Sequence, residues 1–136
     1  MEAAVFAAAG MAQLHVIRSQ KHASFEAGMT GTLALLQSGE PRPDCICYLN
    51  DHMAFGGLAT CERSGLRVPD DIGIAGFNGL GINAVLPRPL TTVLTPRLLM
   101  GSMGARMLLA RIHGAKVERR VVVPAELFPG QTTRLQ

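Results

Sequence analysis

The polar residues of this 136-residue chain with the types and spacing to do chemistry lie in two short runs. Asn50-Asp51-His52-Met53-Ala54-Phe55-Gly56 follows one apolar stretch, and Leu66-Arg67-Val68-Pro69-Asp70-Asp71-Ile72-Gly73-Ile74-Ala75-Gly76-Phe77-Asn78 contains another. If those stretches are neighbouring parallel strands, Asn50, Asp51 and Asn78 end on one carboxyl edge, where α/β sheets hold small ligands. An Asn amide donates and accepts at once, which suits the adjacent hydroxyls of a sugar. His52 lies in the first turn of the helix that opens on this edge. The plainer role for the same residues is structural. Asn50 or Asp51 would cap the helix start, and Asn78 would turn the chain before Gly79.

Other chemistries fit less well. Gly79-Leu80-Gly81-Ile82-Asn83-Ala84 matches G-x-G-x-x-A after a strand. A phosphate-binding turn must open a real helix, yet Pro87 and Pro89 interrupt one, and no acid lies between Asp71 and Glu118 to hold a ribose. His15, His22, His52 and His113 show no paired-ligand spacing, and no Ser sits in G-x-S-x-G. No catalytic residue, metal site or cofactor is assigned, because nothing pairs a nucleophile with a base. Arg88 and Arg97 are candidates for pairing an anionic ligand, with solvated surface as the simpler role. Cys45, Cys47 and Cys61 form no disulfide framework and read as reduced core residues of a cytoplasmic protein.

The elements that would position this edge follow from periodicity and punctuation. A helix ends at Gly10 and a strand fits 14–18. Ser24 caps a helix running to about Ser38, with Phe25, Met29, Leu33 and Leu36 on one side and Gly39 as its stop. Cys45–Leu49 and Ile72–Phe77 are continuous apolar runs, the pattern of strands covered on both faces. The helix between them closes at Gly65-Leu66 in the Schellman manner. This β-α-β order gives right-handed crossovers and a parallel sheet. Leu90–Leu94 is a further strand, followed by a helix over 96–113 with Pro96 at its first position. Apolar residues surround that helix, so it should be covered on more than one side, and Gly101 and Gly104 would mark a close backbone approach. Arg120–Val123 is read as a last strand.

Composition narrows the function. Hydrophobic content of 48% with 17% charged residues excludes a disordered tail. One Tyr, five Phe and no Trp leave little surface for stacking bases. The net charge is +3, and the basic residues between Arg97 and Arg134 are scattered along an apolar helix pattern, which is a solvated surface and not a nucleic-acid footprint. The opening segment carries an acid and lacks a basic n-region, so it does not read as a signal peptide. No run approaches the roughly 20 apolar residues of a membrane span.

From about residue 41 onward the chain resembles the effector-binding domain of the LacI/GalR family of bacterial transcription regulators. The resemblance is carried by Pro43-Asp44, Asn50-Asp51 with Met53-Ala54 and Gly56, Gly65 to Asp71, Gly76-Phe77-Asn78, Pro89 to Val93, and Thr133-Arg134. Ala75 to Gly79 and Val93 to Arg97 with Met100-Gly101 are most similar to the gluconate-utilisation repressors of that family. The resemblance implies an α/β fold, an incomplete parallel-sheet three-layer lobe of the periplasmic-binding-protein-like type I fold. Residues 1–136 would form the C-terminal portion of an effector-binding and dimerisation domain. The 96–113 helix would belong to the other lobe, leaving its apolar faces without their usual cover.

By the same resemblance Asn50 and Asn78 hydrogen-bond the effector, Asp51 caps and orients, and His52 faces the pocket. The helix of 51–64 and the loop of 79–88 face a partner subunit. The implied partners are a sugar or gluconate-like sugar acid, a second copy of the chain, and operator DNA reached only through an N-terminal helix-turn-helix that this sequence lacks. Asn78 departs from the family's usual Asp, which puts a standard neutral-sugar contact in doubt. A periplasmic-type sugar-binding protein for transport and a small α/β enzyme are the alternatives. The lack of a signal segment favours the regulator over the transport protein.

Overall fold

A computed structural model describes residues 16–18 and 22–134. The helix ending at Gly10 lies outside the described residues, as do residues 14 and 15 of the expected 14–18 strand; the rest of that stretch departs from the expectation. Residues 16–18 belong to no helix or strand. The described elements are α1 (Phe25–Leu36), β1 (Cys45–Cys47), α2 (Asp51–Arg63), β2 (Gly73–Asn78), a 3-10 turn (Gly81–Val85), β3 (Thr91–Leu94), α3 (Arg97–Ile112) and β4 (Glu126–Phe128).

The strands form one sheet in the order β1-β2-β3-β4. β1 pairs with β2 and β2 with β3 in parallel, with Ile46 opposite Ile74 and Asn78 opposite Leu94. β4 is antiparallel to β3, with Phe128 opposite Thr92 and Glu126 opposite Leu94. This corrects the strand expected over Arg120–Val123, where Val122 is 74% exposed. The antiparallel register uses the free edge of β3 up to Leu94, after which Thr95-Pro96 leaves the sheet. Residues before Glu126 therefore overshoot the end of β3, whatever their β propensity.

Helix α2 packs on β2 and α1 packs on α2. The core beneath α2 is Ala54, Cys61, Val68, Ile72, Ile74 and Leu90, with Ile46, Tyr48, Phe55, Leu58 and Leu66 against it. The sequence expects Phe25 and Leu33 on the buried side of α1, yet both are exposed; Ala27, Gly28 and Thr32 are buried instead. The reason is the closeness of the two helices. A Cβ on Gly28 would fall 2.1 Å from the Met53 carbonyl oxygen, and one on Gly56 2.1 Å from that of Phe25. Only small residues fit where backbones touch.

Tyr48 lies over Gly57 of α2 and shares a 2.7 Å hydrogen bond with Thr32 of α1. Burial pushes the Tyr48 phenol up to about 12. Ser24 caps α1 through Ala27 N–H, as expected. The α2 stop is a Schellman turn: Gly65 N–H donates to Glu62 O at 3.0 Å and Leu66 N–H to Cys61 O at 2.9 Å. Asp71 accepts from the guanidinium and the backbone N–H of Arg67, which holds its carboxyl well below the usual carboxylate range.

Cys61 is buried as expected, but Cys45 and Cys47 are exposed, contrary to a place in the core. Side chains alternate along a strand, so with Ile46 and Tyr48 turned toward α2 the two cysteines face the other side of the sheet. Of the three layers expected, the described residues supply the sheet and the helical layer on one face. Helix α3 has no buried residue, Leu98 is 89% exposed, and a Cβ on Gly101 or Gly104 would meet nothing within 4 Å. The cover and the close backbone approach expected for this helix are not provided by the described chain.

Candidate functional site

The carboxyl ends of β1, β2 and β3 and the start of α2 meet at one edge of the sheet. β1 hands over to α2 through Asn50, whose side-chain oxygen accepts from Met53 N–H at 2.9 Å. Its Nδ2 donates to the Ala23 carbonyl just before α1 at 3.4 Å. Asn50 is therefore the cap, and each end of its amide makes one bond, leaving one donor hydrogen and one acceptor lone pair for a further partner.

Asp51 is the main correction to the sequence reading. It caps nothing and is 0% exposed, so no ligand reaches it. Its Oδ1 accepts from Thr92 Oγ1 at 2.6 Å and its Oδ2 from the backbone N–H of Leu80 at 2.7 Å. The carboxylate lies at the positive end of the α2 dipole, which offsets part of the cost of burying an anion without a cation. It ties the start of α2 to β3 and to the loop after β2.

Asn78 ends β2 with φ +107°, the only non-glycine residue with positive φ among those described, and Gly79 follows at φ +66°. A Cβ on Gly79 would collide with Leu94, so close approach and backbone conformation both require glycine there. Backbone held in such a region costs about 1–3 kcal/mol and clusters at ligand sites. Among the described residues the Asn78 side chain makes no hydrogen bond, while its carbonyl accepts from Thr95 Oγ1 at 3.3 Å. Thr95 thus belongs to this edge, as a residue the sequence reading did not single out. Its signal was position alone, directly after the apolar run of β3.

His52 is half-buried with its ring edge-on to Phe25, centroids 4.9 Å apart, and Phe25 stacks in turn near Phe55. Packing between α1 and α2 thus accounts for one side of His52. Arg88 is not at the edge: it donates to Glu62 Oε1 at 3.1 Å and to Val68 O at 2.7 Å, around the far end of α2. Arg97 opens α3 two residues after Thr95 and is exposed.

Asn83, inside the glycine-containing loop, is buried and exchanges two hydrogen bonds with the backbone of Leu90, at 2.6 and 2.9 Å. That loop closes on the sheet in a five-residue 3-10 turn and opens no α-helix, which agrees with rejecting a phosphate-binding role. Among the described residues no group of three or more His, Cys, Asp and Glu could hold a metal ion. The expected site residues therefore divide. Asn50 and Asn78 share the edge, His52 flanks it from α2, and Asp51 braces it from beneath.

The model of the periplasmic binding protein-like domain matches residues 1–133. The HTH-type transcriptional regulator GntR of Escherichia coli K12 is 48% identical over 82 residues, which are 60% of this chain and 25% of that protein. The HTH-type transcriptional repressor PurR of Aliivibrio fischeri MJ11 is 37% identical over 93 residues, 68% of this chain and 27% of that one. Among solved structures, a LacI family transcriptional regulator from Bifidobacterium animalis superposes with a TM-score of 0.84 at 30% identity, covering 96% of this chain and 47% of the other. The lac repressor dimer bound to operator superposes with a TM-score of 0.76 at 30% identity, covering 81% and 38%. The chain spans about a quarter of the curated relatives it matches and under half of these two structures. Matched along nearly its whole length and surrounded by LacI-type regulators, the chain belongs to the periplasmic binding protein-like domain family.

Proposed function

We propose that residues 1–136 form the C-terminal portion of the effector-binding domain of a LacI-type transcriptional regulator, and that the edge formed by Asn50, Asn78 and Thr95 is one wall of its ligand cleft. The observation that carries this reading is Asn78: a strained backbone ends a parallel strand with an amide that no other described residue uses. Asn50 supplies the second amide from the neighbouring strand. The proposed ligand is a sugar or sugar acid, with gluconate first. The GntR relative and a solved LacI family regulator from Arthrobacter in complex with lactose, 25% identical with a TM-score of 0.80, support the sugar class. A neutral amide at position 78 does not repel a ligand carboxylate as an Asp would, and Arg97 supplies a cation close by in the chain.

Occupancy of this wall would be reported to operator DNA through a helix-turn-helix outside this sequence, in a cytoplasmic homodimer, and no bond in the ligand would change. Ile82 and Val85 of the 79–88 loop, the latter 79% exposed, offer apolar surface for the second copy. The exposed apolar side chains of α3 would be covered by the other lobe. Calorimetric titration of the full-length regulator with gluconate, glucose and lactose tests the reading. Gluconate should bind most tightly, and Asn78→Asp should weaken gluconate at least about tenfold while sparing the neutral sugars. Equal affinity for gluconate and glucose, or an Asn78→Asp variant that does not discriminate, would overturn the sugar-acid assignment.

A further inference from the structure

We propose that Asp51 is a positioning residue of the ligand edge, its buried carboxylate holding the Asn78–Leu80 turn in the left-handed conformation that ends β2; this rests on the reading that the edge binds a sugar acid. Conformations of this kind persist only where the surroundings over-determine them. Besides the 2.9 Å bond from Asn83 N–H to Leu80 O that starts the 3-10 turn, two hydrogen bonds involving side chains reach the turn from outside the β2 ladder. One is Thr95 Oγ1 to Asn78 O at 3.3 Å, and the other is the 2.7 Å bond from Leu80 N–H to Asp51 Oδ2. The second is short, buried at its acceptor and charge-assisted, so it is the stronger.

The carboxylate reaches the turn by crossing β2 at Gly76, where a Cβ would collide with Asp51 Oδ1. Thr92, itself buried, fixes the other oxygen at 2.6 Å. One side chain thus links the helix start that carries Asn50 and His52, the turn that carries Asn78, and the strand that leads to Thr95. Without it, the turn keeps its strand pairing and loses its tightest anchor.

The test uses the full-length protein, with hydrogen exchange at the Leu80 amide and calorimetric titration with gluconate. Asp51→Asn keeps the shape, since its oxygen can accept from Leu80 N–H while its Nδ2 donates to Thr92 Oγ1. Leu80 exchange should be slowest in the wild type, faster in Asp51→Asn, and about tenfold or more faster still in Asp51→Ala. Gluconate affinity should fall in the same order, with Asp51→Asn recovering most of what Asp51→Ala loses. Adding Asn78→Ala to Asp51→Ala should cost less affinity than Asn78→Ala alone, because Asp51 acts through that residue.

Unchanged Leu80 protection in Asp51→Asn and Asp51→Ala, or additive losses in the double variant, would overturn the proposal. If Asp51→Ala does not fold, the wild-type and Asp51→Asn comparison decides it. If wild type fails to bind gluconate, the ligand reading fails by itself and the exchange series still judges the anchor.

Discussion

Replacing Gly28 and Gly31 by alanine, one at a time, should move stability in opposite directions although the two residues lie in the same helix. Both substitutions contribute the same intrinsic gain, about 0.5–1 kcal/mol, because alanine loses less backbone freedom on entering a helix. At Gly31 a Cβ meets nothing within 4 Å, so that gain should appear nearly whole. At Gly28 the Cβ would lie 2.1 Å from the carbonyl oxygen of Met53, 2.7 Å from its carbon and 2.8 Å from its Cα. These are backbone atoms of α2, and no rotamer change relieves them. The helices must separate, which loosens Ala27 and the hydrogen bond between Thr32 and Tyr48.

Overpacking of this kind costs about 1–3 kcal/mol or somewhat more. The offset by propensity leaves Gly28→Ala destabilised by about 1–2 kcal/mol, a drop in Tm of roughly 4–10 °C for a chain of this size. Urea melts followed by circular dichroism measure both variants, and the midpoints should shift with the slope unchanged. A Gly28→Ala midpoint at or above that of Gly31→Ala would refute the argument that the helices meet at backbone contact.

Three further outcomes are expected. Tyr48 is protonated in the folded chain up to about 12, whereas an unfolded Tyr ionises near 10; its contribution is therefore complete below pH 10 and is lost at about 1.4 kcal/mol per pH unit as pH rises toward 12. Denaturant melts across that range should show the decline, and Tyr48→Phe should flatten it. The Cys47 thiol is lowered to about 7 by its hydrogen bond from Cys45; alkylation with iodoacetamide followed by mass spectrometry should reach half its limiting rate near pH 7 at Cys47, and Cys45→Ala should move that midpoint up toward the ordinary 8.5. Asn78→Gly should relieve the left-handed backbone and raise stability by about 1 kcal/mol in a thermal melt while abolishing tight gluconate binding; a gain in stability with full affinity retained would remove the Asn78 side chain from the site.

Much of the architecture was legible in the sequence. Apolar runs at Cys45–Leu49 and Ile72–Phe77, a cap at Ser24 and Gly65-Leu66 after α2 report local preferences, and local preferences survive folding where tertiary contacts agree with them. The placing of Asn50 and Asn78 on one edge also followed, because consecutive parallel strands joined by a helix must end on the same side. The side-chain partners were harder to read. Asp51 has the residue type of a cap or a ligand contact, and only the folded sheet shows Leu80 and Thr92 arriving from 29 and 41 residues away to occupy it.

The same division holds for packing. Phe25 and Leu33 have helical spacing suited to a core, but the approach of Met53 to Gly28 decides that α1 turns its small residues inward. Val121 to Val123 have strand propensity, but β3 runs out of free edge before reaching them. The sequence by itself determined the helices and parallel strands from α1 to α3 and which end of the sheet gathers the amides, since chain-local geometry and crossover handedness suffice for those but not for the antiparallel β4. The tertiary structure alone decided which polar groups are consumed internally and which remain available, because a hydrogen bond between distant residues depends on register and separation that no local pattern encodes.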